Sequence, residues 1–176
     1  MPRRLHIGGE TRSPDWEVLN AVPGDHVDHM GDAADMSEFD DNTFSELYAS
    51  HILEHLDYVD EINQALIEWH RVLTPGGKLY ISVPDLDRLA ALFLDRENFT
   101  PDERFDIMRI IFGGHTSEYD YHVVGLNEEF LSSYLAVSGF VNIRRVESFG
   151  IFTDTSEMRI RSMPISVNLV AEKPAA

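Results

Sequence analysis

The chain has 176 residues, 14 Lys+Arg against 31 Asp+Glu, no cysteine and a net charge of −17. That length suits one domain, 1–176, able to bury about 70% of the surface of its unfolded chain. The charge opposes nucleic-acid binding, which draws on phosphate contacts, and the missing thiols exclude disulfides and thiolate chemistry.

In chain order, Arg4 to Ile7 reads as a first strand running into Gly8-Gly9-Glu10. A glycine turn there lets the backbone approach a ligand closely at the carboxyl end of a sheet, although any tight turn can use such a pair. Glu17 to Val22 reads as a second strand. Only Glu10 to Trp16 intervenes, fewer residues than a parallel crossover with its helix needs, so the first helix is reduced to a turn and Trp16 is placed to plug the gap. Pro23-Gly24 turns the chain, and His26 to Gly31 is expected as the third strand, ending at Asp32-Ala33. Residues 37–43 are an acidic surface connection.

Phe44 to Ser50 is short and mostly apolar or small, as a buried strand is. From Asp57 the residues Val59, Ile62, Leu66, Trp69, Val72 and Leu73 recur at helical spacing, with Asp57 as cap and His70 and Arg71 suiting the last turn. Thr74-Pro75-Gly76-Gly77 stops the helix and turns the chain, and Lys78 to Pro84 alternates as a strand. The product is a right-handed βαβ unit with parallel strands.

Between these elements stands His51-Ile52-Leu53-Glu54-His55, the His-x-x-Glu-His zinc pattern of one class of metalloprotease. That chemistry places both histidines on one face of a continuous helix, with a third ligand from elsewhere. Here the pattern sits at a strand end and a separate helix begins near Asp57, so no metal is expected. Glu54 and His55 are read as lining the substrate side or capping the coming helix.

Asp85 caps a helix over 85–95, and Thr100 with Glu103 forms a capping box for another, with Pro101 at its first position. The polar, aromatic run Gly113-Gly114-His115-Thr116-Ser117-Glu118-Tyr119-Asp120-Tyr121-His122 precedes a helix capped by Asn127. Residues 96–126 are expected as a substrate-side insertion, because loops at a rigid sheet edge carry function. Phe140 to Glu147 and Ile165 to Ala171 complete the sheet, the final strand antiparallel at or near its edge. The start MPRRLHIGG lacks an apolar signal core and the apolar run 89–94 cannot span a bilayer, so a soluble, cytoplasmic protein without a membrane partner is expected.

The run Phe-x-x-x-Tyr-Ala-Ser-His-x-Leu-Glu-His, a helix ending Arg71-Val72-Leu73, Pro75-Gly76-Gly77 and a strand ending Val83-Pro84-Asp85 resemble the class I S-adenosylmethionine-dependent methyltransferases, over nearly the whole chain. The resemblance implies a Rossmann-like, doubly wound, mostly parallel α/β sheet with an antiparallel last strand. It implies S-adenosyl-L-methionine as cofactor: Gly8, Gly9 and Glu10 beside its methionine part, Asn20 at the ribose, Asp32 and Ala33 at the adenine, Ser50 and His51 at the methionine segment. Glu10 stands where the family has glycine, and Asn20 where it has an acid. On the substrate side the resemblance points to Gly113, Gly114, Asp120 and His122, with His122 as base for the acceptor, Asp120 orienting it and His115 in reserve. Methyl transfer to a small-molecule or glycan-type acceptor is expected. The other readings are a non-catalytic binding protein that lost its cofactor through Glu10 and Asn20, and a hydrolase using His51, Glu54 and His55.

Overall fold

The computed structural model describes residues 2–175. Seven strands form one sheet in the order β3-β2-β1-β4-β5-β9-β6. They are β1 (Arg3–Ile7), β2 (Glu17–Asn20), β3 (His29–Met30), β4 (Phe44–Ser50), β5 (Leu73–Pro84), β6 (Val141–Arg145) and β9 (Ser166–Glu172). β1 through β5 are mutually parallel, and β9 runs antiparallel between β5 and β6. The carboxyl ends of the five parallel strands therefore share one edge. β7 (Arg159–Ile160) and β8 (Met163–Pro164) make a separate two-residue ribbon.

Helix α1 (Glu61–Val72) buries Ile62, Ala65, Leu66, Trp69 and Val72 on the stripe expected from their spacing. Burial of each large side chain contributes about 1.5–3 kcal/mol. The indole of Trp69 also donates 2.8 Å to the Ala33 carbonyl, and the Arg71 guanidinium reaches the Met36 and Phe39 carbonyls. α1 thereby holds the connection after β3. α2 (Leu86–Leu94), α3 (Pro101–Phe112) and α4 (Glu128–Val137) start at the expected caps: Asp85 accepts from Arg88 N, Thr100 and Glu103 form the capping box, and Asn127 accepts from Phe130 N. α2 and α3 enclose a small core of Leu89, Leu92, Phe99, Ile107 and Ile165, beside the main one. No helix among the described residues is long and apolar enough to cross a membrane.

Several boundaries differ from expectation. β2 ends at Asn20 because Val22 N turns back to the Asn20 carboxamide. The third strand shrinks to His29–Met30, since Val27 N bonds Gly24 O in a turn and the Asp28 carboxylate takes Val18 N. α1 begins at Glu61, with Asp57 making a turn of its own: its carboxylate accepts from Val59 N and its N–H donates to Glu61. Thr74 to Gly77 do not leave the sheet but form a bulge within β5, the pairing shifting between Phe44 and Glu46. The final strand β9 is antiparallel and lies next to the edge strand β6, as expected.

The reduced first crossover is present: no helix lies between β1 and β2. The sheet face left bare is covered from the far end of the chain. Phe152 stacks on His6 at 4.3 Å, Trp16 and Phe149 meet Tyr48 edge-on, and the Tyr48 hydroxyl donates to Asp154.

Candidate active site

The carboxyl edge of the parallel strands brings together most of the residues assigned to the cofactor. Gly8 follows β1, Asn20 ends β2, Asp32 and Ala33 follow β3, and Ser50 and His51 close β4. Gly8 takes φ +71°, and a Cβ there would sit 2.0 Å from Ile52 Cδ1; one on Gly9 would meet the His6 ring at 2.7 Å. The close approach that requires these glycines is thus to the chain's own side chains. Asn20 donates its amide to Gly9 O and accepts from Val22 N, which ties the first two strand ends together. Asp32 spends Oδ1 on Ala34 N. Its other oxygen has no partner among the chain's hydrogen bonds. Glu10 is exposed.

Ser50 Oγ is 3.2 Å from Thr155 Oγ1. His51, at φ +56°, places Nε2 3.0 Å from Ser166 Oγ, and that hydroxyl itself donates to Thr155 O. Ser166 must then accept, so His51 carries its proton on Nε2 and turns the lone pair of Nδ1 toward Glu54 Oε1, 3.3 Å away. Burial pushes the His51 imidazole down to about 3 and the Glu54 carboxyl up to about 8. Glu54 is 1% exposed, and neither of its oxygens has a hydrogen-bond partner; the 3.3 Å approach to His51 is off hydrogen-bond geometry.

Glu54 and His55 lie in a one-turn 3₁₀ helix, Leu53–His55. The loop after α3 docks on that turn: Val123 N donates to Glu54 O at 2.8 Å, and His55 Nδ1 lies 3.1 Å from Tyr121 O. A carbonyl only accepts, so His55 donates from Nδ1 and keeps a lone pair on Nε2. His122 packs edge-on against His55, ring centroids 4.8 Å apart, with its Nδ1 buried and unpartnered. One ligand-type atom from each of Glu54, His55 and His122 lies within 4.8 Å of the others. Burial first, then the neighbouring His55, lowers the His122 pKa, which favours its neutral form.

Of the three residues expected as base, orienter and reserve, only His122 enters this cluster. The Asp120 carboxylate accepts from Thr116 Oγ1, Thr116 N and Gly114 N, and folds the loop instead of orienting His122. His115 is exposed, stacks on Tyr121 at 4.0 Å and reaches Phe112 O. Gly113 takes φ +88°, and any side chain there would also strike Asp120 O. Glu54 and His55 are the partners that the sequence did not assign to His122. The signal lay in His-x-x-Glu-His, whose first histidine faces Ser166 and whose last two residues face the loop.

A concavity of about 400 Å³ lies between α1 and α4, lined by Tyr58, Val124, Phe130, Tyr134 and Val137 among others. The cluster residues are not in its lining.

Residues 17–81 match the family model described as a methyltransferase domain. No curated protein matches the chain. Among solved structures, a SAM-dependent methyltransferase from Archaeoglobus fulgidus has a TM-score of 0.64 at 16% identity, covering 98% of this chain and 86% of that one. One from Methanosarcina mazei has a TM-score of 0.60 at 16% identity, over 99% and 93%. A possible exported protein from Bordetella parapertussis has a TM-score of 0.59 at 11% identity, over 99% and 62%, so the chain spans under two thirds of that protein. The fold is the one these SAM-dependent methyltransferase structures share.

Proposed function

We propose that this chain, a methyltransferase domain on a class I fold, moves the methyl group of S-adenosylmethionine to a hydroxyl of a small-molecule or glycan-type acceptor. The cofactor lies along the carboxyl edge from Gly8 to His51, and the acceptor between the end of β4 and the loop 113–122. The observation that carries this reading is the gathering of Glu54, His55 and His122 where β4 ends, beside the residues assigned to the methionine segment. The missing cysteines suit a reducing compartment, and we place the reaction in the cytoplasm.

Transfer from a sulfonium needs alignment more than acid catalysis, because the leaving thioether is neutral. A hydroxyl acceptor also needs to lose its proton. His122, kept neutral by burial, accepts that proton as the oxygen–carbon bond forms and the carbon–sulfur bond breaks. S-adenosylhomocysteine and the methyl ether are the products. The free oxygen of Asp32 is placed for the adenine amino group, with Oδ1 anchored on Ala34 N.

The test is methyl transfer from labelled S-adenosylmethionine to a panel of hydroxyl-bearing sugars and small alcohols. Wild type methylates at least one, and His122→Ala lowers kcat about 100-fold or more, the range of general-base catalysis. Transfer at the wild-type rate by the variant overturns the assignment of His122, and transfer only to amines overturns the acceptor class.

A further inference from the structure

Glu54, His55 and His122 have a property that proton transfer alone does not use: each brings one ligand-type atom within 4.8 Å of the others, and Glu54 and His122 bury polar atoms that have no hydrogen-bond partner. Glu54 is buried and offers two oxygens without partners; His55, donating from Nδ1 to Tyr121 O, offers Nε2; His122 Nδ1 is buried without a partner. His51 Nδ1 adds a lone pair 3.3 Å from the same carboxylate. Buried acceptors such as the two Glu54 oxygens are unfavourable unless a proton or a cation lies beside them.

We propose that Glu54, His55 and His122 hold one divalent transition-metal ion of the zinc type. Two imidazoles and one carboxylate match the donor set of zinc sites that keep a position open, and imidazole nitrogen disfavours magnesium and calcium, which take oxygen. Bonds of about 2.0–2.2 Å place such ligand atoms about 3.4 Å apart. The three atoms lie within 4.8 Å here, so closure brings them together by a little over 1 Å.

The surroundings resemble those of a ligand set. His55 is fixed by donating its other ring nitrogen to a backbone carbonyl, as metal-bound histidines are. The Glu54 carbonyl accepts from Val123 N, so the two chain segments that carry the ligands are already joined. The net charge of −17 favours uptake of a cation. This set differs from that expected of His-x-x-Glu-His, which takes both histidines; His51 faces Ser166 instead.

Resting on the methyltransferase reading, the open position takes the acceptor hydroxyl. With the ion bound, that position would polarise the hydroxyl and lower its pKa, and without the ion His122 remains the base.

The test is calorimetric titration of chelator-stripped full-length protein with zinc chloride, magnesium chloride as comparison, and the visible spectrum of the cobalt(II) form. One zinc per chain with submicromolar affinity and little response to magnesium is expected, with the affinity at least 100-fold weaker in Glu54→Gln and in His122→Ala and unchanged in the exposed variant Glu97→Gln. Circular dichroism of each variant separates lost ligation from lost folding, Glu54→Gln being isosteric. Equal zinc affinity in wild type and both folded variants, or no zinc binding by wild type, overturns the proposal. S-adenosylhomocysteine is titrated separately into the stripped protein: its binding without zinc binding sinks the metal site and leaves the methyltransferase reading standing, and zinc binding without nucleoside binding does the reverse.

Discussion

His6 sits inside β1, 7% exposed, its Nδ1 buried without a partner and its ring stacked on Phe152. Burial pushes its pKa down to about 4, from about 6.5 in an unfolded chain. Between those values the unfolded chain binds a proton that the folded one refuses. Its contribution is present above pH 6.5 and is lost as pH falls toward 4, at about 1.4 kcal/mol per unit. The thermal midpoint of wild type should fall between pH 7 and pH 5, and that of His6→Phe should fall less, other titrating groups being common to both. An equal fall in the two proteins contradicts the assignment. Gly8 is a second such position. Gly8→Ala meets both a left-handed φ and the Ile52 side chain, and should lower stability by about 2 kcal/mol or more in urea unfolding. A neutral substitution would mean that the turn relaxes.

At the scale of elements, α1 links packing to the cofactor edge. Trp69→Phe keeps most of the apolar burial and removes the donor to Ala33 O, so it should cost about 1–3 kcal/mol through the unsatisfied carbonyl and loosen the Asp32–Ala33 turn. Urea unfolding checks the first part, and faster hydrogen exchange in residues 31–36 the second. Thr100→Ala, which opens the α3 capping box, should cost about 1 kcal/mol with no such local effect. The helices were legible because caps and apolar spacing are local: Thr100 with Glu103, Asn127, and the stripe from Ile62 to Val72 needed no tertiary information. Where a boundary depended on a distant partner, the sequence misled. Asp28 is drawn to Val18 N, and Thr74 to Gly77 stay in the sheet as a bulge. The site follows the same rule. His122 was legible as a polar residue in a loop at the sheet edge, but its pairing with Glu54 and His55 arises only when Val123 N meets Glu54 O. His115 and Asp120 shared that loop signal and turned out to fold the loop itself.

Over the whole molecule, 31 carboxylates against 14 basic residues repel one another in the compact state. Screening within a Debye length of about 10 Å at 0.1 M salt should raise the thermal midpoint by roughly 2–5 °C between 10 and 200 mM sodium chloride. A fall would mean that the surface pairs, such as Arg3 with Glu17 and Arg161 with Glu103, outweigh the repulsion. The fold joins its two ends: residues 149–156 cover the face left by the missing first helix, and α3 with its loop brings His122 to the end of β4. The edge proposed for the cofactor and the cluster proposed for the acceptor thus meet at Ser50 and His51. The measurement that tests this most directly is calorimetric titration of wild type and Asp32→Asn with S-adenosylhomocysteine. The variant keeps Oδ1 for Ala34 N and exchanges the free oxygen for a donor, so micromolar binding by wild type should weaken about tenfold without loss of thermal stability. No binding by folded wild type, or equal binding by the two proteins, would contradict the account.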